Sequence, residues 1–177
     1  MKVLAIGATN SKKSMNKQLA TYVAGLIEDS EVETLDLNDY EMPIYSVDRE
    51  QESGIHELAK TFFNKIADSD AIVISFAEYN GSYSSAYKNI FDWCSRIDMK
   101  VFQNKPVILL SASPGPGGAT SVLASAVGSA PFFGADVKGS LSFPSFYENF
   151  DSLNKVVINN ELKSKVIEIT KKVPSLA

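Results

Sequence analysis

The sequence predicts a doubly wound α/β fold, in which helices cover both faces of one parallel sheet. Residues 2–6, 71–76 and 106–111 are nearly continuous apolar runs, the pattern of strands buried on both faces. Amphipathic helical segments separate these runs, and strand and helix alternate five times along the chain. Because a crossover through a helix returns the chain in the same direction, the strands should be parallel.

Composition indicates an ordinary globular protein, and we expect a single domain over residues 1–177. Hydrophobic residues make up 45% and charged residues 21%. The net charge of -4 leaves no basic surface typical of nucleic-acid binding. One Cys and one His exclude a disulfide framework and argue against a metal site. With no membrane-length apolar stretch and no signal peptide, we expect a cytoplasmic protein without nucleic-acid or membrane partners.

The remaining elements follow from periodicity. Short strands are predicted over residues 32–37 and 137–143, and the polar segments 38–53 and 145–159 are predicted as surface loops. His56 is predicted at a helix start. Helices are predicted around five sets of apolar residues at helical spacing: Leu19, Val23, Leu26 and Ile27; Leu58, Ala59, Phe62 and Ile66; Ala86, Tyr87, Ile90, Phe91, Cys94 and Ile97; Leu123, Ala126 and Val127; Leu162, Val166 and Ile169.

A polar loop, residues 7–16, follows the first strand and leads into a helix. Free amide groups and the helix dipole favour an anion at such a position. The loop lacks the glycines of a dinucleotide fingerprint or a Walker loop. In the simpler interpretation Ser14 is only an N-cap. The hydroxyls of Thr9, Ser11 and Ser14, with Lys12 and Lys13, favour a bound phosphate instead.

Turns also follow the other two buried strands. Asn80-Gly81 is a turn dipeptide directly after residues 71–76, and Ser84 or Ser85 can cap the next helix. Residues 111–118 contain three glycines and two prolines, a composition typical of a rigid turn with exposed backbone amides. Both segments could also be ordinary connections without a ligand.

The three loops resemble the signatures of the NADPH-dependent FMN reductase family. Residues 78–82, Glu-Tyr-Asn-Gly-Ser, with Lys88-Asn89 and Asp92-Trp93, resemble the second signature. Residues 8–16 resemble the first, Gly-Ser-x-Arg-x-x-Ser-x-Asn, whose side chains hold the FMN phosphate. Residues 111–118 resemble the third, Ser-x-Ser-Pro-Gly…Gly-Gly, which lies against the flavin.

This sequence departs from the family pattern at a few positions. Ala77 replaces a Pro, Ala8 replaces a Gly, and the third signature is one residue shorter between its Pro-Gly and its Gly-Gly. Ser11 stands where the family has an Arg that can pair bidentately with the phosphate. Lys12 or Lys13 can supply a point charge in its place.

The resemblance implies a flavodoxin-like three-layer fold with a five-stranded parallel sheet in the order 2-1-3-4-5. In that order strands 1, 3 and 4 are neighbours, so the three loops meet at one edge, at the switch point between strands 1 and 3. It also implies an enzyme that passes electrons by hydride transfer from NADPH or NADH through FMN to a quinone, azo compound, flavin or similar acceptor. A homodimer or a dimer of dimers is implied as well.

The same resemblance implies which residues hold FMN. From the first loop these are Thr9, Ser11, Lys12, Ser14, Met15 and Asn16; from the second, Ala77, Glu78, Tyr79, Asn80 and Gly81; from the third, Ser113, Pro114, Gly115 and Gly118. Because a flavin supplies its own redox chemistry, we assign no catalytic side chain and no metal ligand.

Aromatic residues around the second loop are expected mainly to pack the core, although some also suit a subunit interface. They are Tyr79, Tyr83, Tyr87, Phe91 and Trp93. Cys94 is expected in the core.

Two alternatives to the enzyme remain. One is a non-enzymatic FMN-binding electron carrier, against which the modest net charge argues. The other is a flavodoxin-like domain that has lost its cofactor and serves in interactions.

Overall fold

The computed structural model describes residues 1–175 and is built on a five-stranded parallel sheet in the order β2-β1-β3-β4-β5. This confirms the predicted fold class and strand order. The strands are β1 (Lys2–Ala8), β2 (Glu31–Leu35), β3 (Ala71–Phe76), β4 (Pro106–Ala112) and β5 (Asp136–Phe143). At the centre of the sheet Ile6 lies beside Ile74, and Ile74 beside Leu109. The single domain expected over residues 1–177 stays a prediction, and its last two residues lie outside the described part.

Helices cover both faces of the sheet and make the fold three-layered. On one face lie α1 (Met15–Ala24) and α7 (Asn160–Thr170). On the other lie α3 (Glu57–Ala67), α4 (Ser85–Cys94) and α5 (Thr120–Ser129). No helix among residues 1–175 is long and apolar enough to cross a membrane.

The core consists of two apolar layers separated by the sheet. Successive side chains of a strand point to opposite faces. In β1, Leu4 and Ile6 therefore pack under α3 and α4, while Val3 and Ala5 pack under α1. Both layers are filled from the central strands, which explains why these strands carry continuous rather than alternating apolar sequence.

Two predicted loops contain regular structure. Within residues 38–53 lie most of a 3₁₀-helix (Leu37–Tyr40) and all of α2 (Val47–Ser53), so β2 ends at Leu35 rather than at residue 37. Asp36 and Ser46 accept backbone hydrogen bonds at the starts of these two helices, and such caps allow short polar helices to form.

The predicted loop over residues 145–159 is also partly regular. It contains α6 (Phe146–Asn149) and an antiparallel pair, β6 (Phe150–Asp151) and β7 (Val156–Val157). The rings of Phe146 and Phe150 stack with 4.7 Å between their centroids, and both side chains are buried. This packing stabilises regular structure in a segment whose polar composition is typical of a loop.

The predicted helices are confirmed, with corrections at their ends. The helices α1 and α4 end at Ala24 and Cys94, so Leu26, Ile27 and Ile97 lie beyond their last turns. Leu26 and Ile97 are exposed, whereas Ile27 is buried in the core. Trp93 is buried instead. Cys94 is buried as predicted, and burial raises the pKa of its thiol to about 12, so it remains protonated at neutral pH.

Candidate cofactor site

A cleft lies at the carboxyl edge of the sheet, where the loops after β1, β3 and β4 meet. Because these three strands are neighbours, their following loops converge as the strand order predicts. Side chains from all three loops line the cleft: Thr9, Ser11, Lys13, Ser14, Met15 and Asn16; Ala77, Glu78 and Tyr79; Ala112, Ser113 and Pro114.

Ser14 caps α1, as the simpler interpretation of the first loop predicts. Its Oγ accepts a hydrogen bond from the backbone N–H of Lys17 at 3.0 Å. This bond uses an oxygen lone pair and leaves the hydroxyl hydrogen free to donate to a ligand. Thr9 lies beside it, almost fully buried, with its Oγ1 3.4 Å from the hydroxyl of Tyr79. Capping and anion binding are therefore compatible at Ser14.

Asn16 ties the first loop to the two neighbouring strands. Its Oδ1 accepts hydrogen bonds from Ser75 Oγ at 2.7 Å and from Ala112 N at 3.1 Å, and its Nδ2 donates to Ala112 O at 3.4 Å. One amide hydrogen remains for a ligand. The side chain thus has a positioning role between β1, β3 and β4 that the sequence does not reveal.

Of the lysines near the first loop, only Lys13 lines the cleft. The ammonium of Lys17 lies 2.8 Å from Asp36 Oδ2. This contact and the donors of Asn38 lower the pKa of Asp36 to about 2, so the ion pair holds at neutral pH. Lys12 is exposed and does not line the cleft. The structure therefore favours Lys13 over Lys12, a choice that the sequence leaves open.

Glu78 connects the second loop to α5, the helix that follows the third loop. Its Oε2 accepts a hydrogen bond from the backbone N–H of Val122 at 2.8 Å, in the first turn of α5. The N-cap residue of α5 is Ala119, which has a φ of 57° and no side chain able to cap the helix. Glu78 supplies that missing cap from another loop and sets the distance between the two loops.

Asn80 and Gly81 shape the rim of the cleft and do not line its wall. Their φ angles are 51° and 77°, and Tyr79 and Ser82 exchange backbone hydrogen bonds of 3.0 and 3.1 Å across them. This tight turn is the one that the dipeptide predicts. Tyr79 is 51% exposed beside it.

Gly115 and Gly118 likewise lie off the wall of the cleft. The carbonyl of Gly118 accepts hydrogen bonds from Ser111 Oγ at 2.6 Å and from Ser142 Oγ at 2.8 Å. Its φ is 60°, and a Cβ at this position would collide with the Ser142 hydroxyl, so only glycine fits. Gly118 anchors the third loop to β5, and the cleft is bounded by Ser113 and Pro114 instead.

The comparisons with known proteins agree with this geometry. The family described as NADPH-dependent FMN reductase matches residues 1–147. The chain belongs to this family. The FMN and NAD(P)H chemistry inferred from the three loop signatures is therefore confirmed as that of the family. Two residues that line the cleft, Lys13 of the first loop and Ala112 of the third, are not among the residues that the resemblance assigns to FMN.

Several curated relatives of the chain are named as quinone reductases. The chain is 33% identical over 117 residues to a 2-hydroxy-1,4-benzoquinone reductase from Burkholderia sp, covering 65% of this chain and 62% of that protein. It is 29% identical over 125 residues to an NADPH:quinone oxidoreductase from Arabidopsis thaliana, covering 68% and 62%. The matches thus span less than two thirds of these relatives.

Solved structures share this fold along nearly the whole chain. A flavoenzyme NAD(P)H:(acceptor) oxidoreductase from Paracoccus denitrificans superposes with a TM-score of 0.74 at 23% identity, covering 96% of this chain and 93% of that one. An azoreductase from Bacillus anthracis str. Sterne gives a TM-score of 0.60 at 19% identity, with 97% of each chain covered. At these identities the likeness establishes the fold alone.

Proposed function

We propose that this chain is an FMN-dependent NAD(P)H oxidoreductase that passes electrons by hydride transfer through bound FMN to a quinone, azo compound, flavin or similar small acceptor. The observation that carries the proposal is the convergence of three family loops in one cleft. The relatives named above are reductases and oxidoreductases, which favours an enzyme over an electron carrier.

The first loop is proposed to hold the FMN phosphate. The N-terminus of α1 offers free backbone N–H groups and a positive dipole end, to which the Ser14 and Thr9 hydroxyls add donors. Lys13, which lines the cleft, contributes positive charge. Ser11 cannot make the bidentate pair of the family's Arg, so the phosphate is held by a point charge and several neutral donors.

The second and third loops are proposed to border the flavin ring. Residues 77–79 and 113–114 form the cleft walls there, and the Glu78 bond to α5 keeps the two walls at a fixed separation. Bound FMN supplies the hydride-accepting chemistry. The protein's share of the reaction is then binding and orientation, for which the cleft needs no general acid or base.

The proposal is tested by flavin titration and by reduction of the flavin. The purified protein should be yellow or bind added FMN, and NADH or NADPH should bleach the flavin anaerobically until a quinone restores its colour. Because a single cleft would serve both substrates in turn, steady-state kinetics should be ping-pong. A chain that binds no FMN would exclude the enzyme and the carrier together. Reduction by dithionite but not by nicotinamide would favour the carrier.

A homodimer or a dimer of dimers is also proposed. Tyr79, which lines the cleft, and Ile44, which shares a surface groove with Asn10 of the first loop, are large side chains with 51% and 75% of their surface exposed. Such side chains are typical of subunit interfaces. Sedimentation equilibrium of the wild type and of Ile44→Asp tests this, since the charge should weaken association. The cytoplasmic location stays a prediction.

A further inference from the structure

A second cavity, about 260 Å³ in volume, lies between α4 and α5 and uses none of the residues of the cofactor cleft. Its walls are largely aromatic: Phe76, Tyr83, Tyr87, Phe91, Phe102 and Phe133. Some of these rings meet edge to face, with 5.4 Å between the centroids of Phe76 and Tyr87 and 4.8 Å between those of Phe91 and Phe133. Others, such as Tyr87 and Phe91, are tilted against each other. The packing leaves a concave, apolar space in place of a filled core.

The hydroxyl of Tyr87 is a buried donor with no hydrogen-bond partner within residues 1–175. The side chain is 5% exposed, and its burial raises the pKa of the phenol well above the usual value, so the hydroxyl stays protonated. In the described part of the chain every fully enclosed polar side-chain atom has a partner. The hydroxyl of Tyr87 is therefore not fully enclosed, and its exposed part must face the cavity that Tyr87 lines.

The two serines of the cavity already have hydrogen-bond partners. Ser95 Oγ donates to the carbonyl of Asp92 at 2.8 Å, and Ser129 Oγ donates to the carbonyl of Ser125 at 2.9 Å. At the rim, Lys88 Nζ lies 2.6 Å from Asp92 Oδ1, so the two charges neutralise each other. The hydroxyl of Tyr83, on a half-buried side chain, interacts with Ser129. The cavity thus presents aromatic walls, the buried hydroxyl of Tyr87 as a free donor, and no net charge.

We propose that this cavity binds an uncharged aromatic molecule of one or two rings that carries an oxygen able to accept a hydrogen bond from Tyr87. A dry apolar cavity of roughly 150 Å³ is enough to hold benzene, so this larger cavity has room for a second ring. Aromatic walls favour ring ligands through edge-to-face contact. A bound oxygen would satisfy a buried donor that otherwise destabilises the fold.

The site is independent of the proposed reductase activity, although it adjoins the second loop. Phe76 ends β3 directly before Ala77, and Tyr83 follows the tight turn at Asn80-Gly81. Phenols and quinones both have the required chemistry. A phenol that the flavin cannot reduce therefore separates binding here from turnover in the cleft.

The test uses two-dimensional NMR of the full chain, with and without added FMN, titrated with 2-naphthol and with naphthalene. 2-Naphthol should shift the signals of α4 and α5 and leave those of residues 9–16 unchanged. Tyr87→Phe should weaken 2-naphthol binding about fivefold through the lost hydrogen bond and leave naphthalene binding unchanged. Tyr40→Phe, a change at another buried tyrosine, should alter neither affinity.

A second variant fills the space. Ala126 is buried and lines the cavity, so Ala126→Leu should abolish binding of both ligands while FMN titration and NAD(P)H oxidation stay unchanged. If that variant does not fold, the 2-naphthol and naphthalene affinities of Tyr87→Phe test the proposal by themselves. Equal 2-naphthol affinity in wild type and Tyr87→Phe would overturn the proposal, as would shifts confined to residues 9–16. An affinity that falls as the protein concentration rises would assign the cavity to a second copy of the chain and also overturn it.

Discussion

At the scale of single residues, the structure distinguishes two neighbouring lysines that the sequence alone does not. Lys13 lines the cleft and Lys12 does not, while Lys17 is paired with Asp36. Lys13→Ala should weaken FMN binding roughly three- to tenfold, the range for losing one solvent-accessible charge-assisted contact. Riboflavin, which has no phosphate, should bind equally before and after the change. Lys12→Ala is the matched control in fluorescence titrations, and an equal loss in both variants would refute the assignment to Lys13.

Ser14 and Asn16 should respond differently to removal of their side chains. Ser14→Ala should lower the free energy of unfolding by about 1 kcal/mol and weaken FMN roughly tenfold relative to riboflavin, because both the cap and the phosphate donor are lost. Asn16→Ala breaks the bonds to Ser75 and Ala112, so it should destabilise the fold and weaken FMN and riboflavin to similar extents.

Urea unfolding and the two flavin titrations measure these effects. Ser46→Ala is a control, because Ser46 caps the surface helix α2 and lies outside the cleft lining. That variant should lose stability without any change in flavin preference. A constant FMN-to-riboflavin ratio in Ser14→Ala would place the phosphate elsewhere.

The difference between Ser14 and Asn16 also shows what sequence can predict at this scale. A hydroxyl just before an amphipathic helix is a local signal, and Ser14 is the cap that it indicates. The partners of Asn16 lie 59 and 96 residues away along the chain, so nothing near it in sequence shows where its side chain points. For the same reason the sequence does not indicate which of Lys12 and Lys13 lines the cleft, because only the folded loop distinguishes the two.

At the scale of elements, α5 depends on a cap from another loop. Its own N-cap residue, Ala119, has no side chain that could cap it, and Glu78 accepts the hydrogen bond of Val122 N instead. Glu78→Ala should therefore lower the free energy of unfolding by about 1 kcal/mol, as loss of an N-cap does. Glu78→Gln should retain most of the stability, because an amide oxygen can still accept the bond.

Urea midpoints of these variants provide the measurement. Glu57→Ala is the comparison, since Glu57 is an exposed carboxylate that pairs only with Lys60 in its own helix. Its loss should be a few tenths of a kcal/mol. If Glu78→Gln were as unstable as Glu78→Ala, the capping role would be wrong.

Long-range contacts also explain which elements the sequence predicts poorly. The buried strands and the amphipathic helices are predicted correctly because their patterns are local. Residues 38–53 are polar enough to indicate a loop, but two residues of α4 hold this segment against the helix. Asn89 accepts from Tyr45 N at 2.8 Å, and Trp93 Nε1 donates to the carbonyl of Pro43 at 2.8 Å.

At the scale of the whole molecule, the cofactor cleft joins the three central strands. Its loops follow β1, β3 and β4, so these loops separate when the sheet unfolds. FMN that contacts all three should therefore bind only the native state. At a free concentration of about one hundred times its Kd, such a ligand stabilises the native state by about 2.7 kcal/mol. For a chain of this size, that corresponds to a rise in Tm of about 5–10 °C.

Thermal unfolding monitored by circular dichroism measures this shift. AMP carries a phosphate but no flavin ring, so at the same concentration it should give a much smaller rise, because it engages the first loop alone. Lys13→Ala should reduce the shift caused by FMN more than the shift caused by riboflavin, which lacks the phosphate contact. An unchanged Tm in saturating FMN would mean that the native chain does not bind it, and equal shifts from FMN and AMP would mean that the second and third loops do not contact the ring.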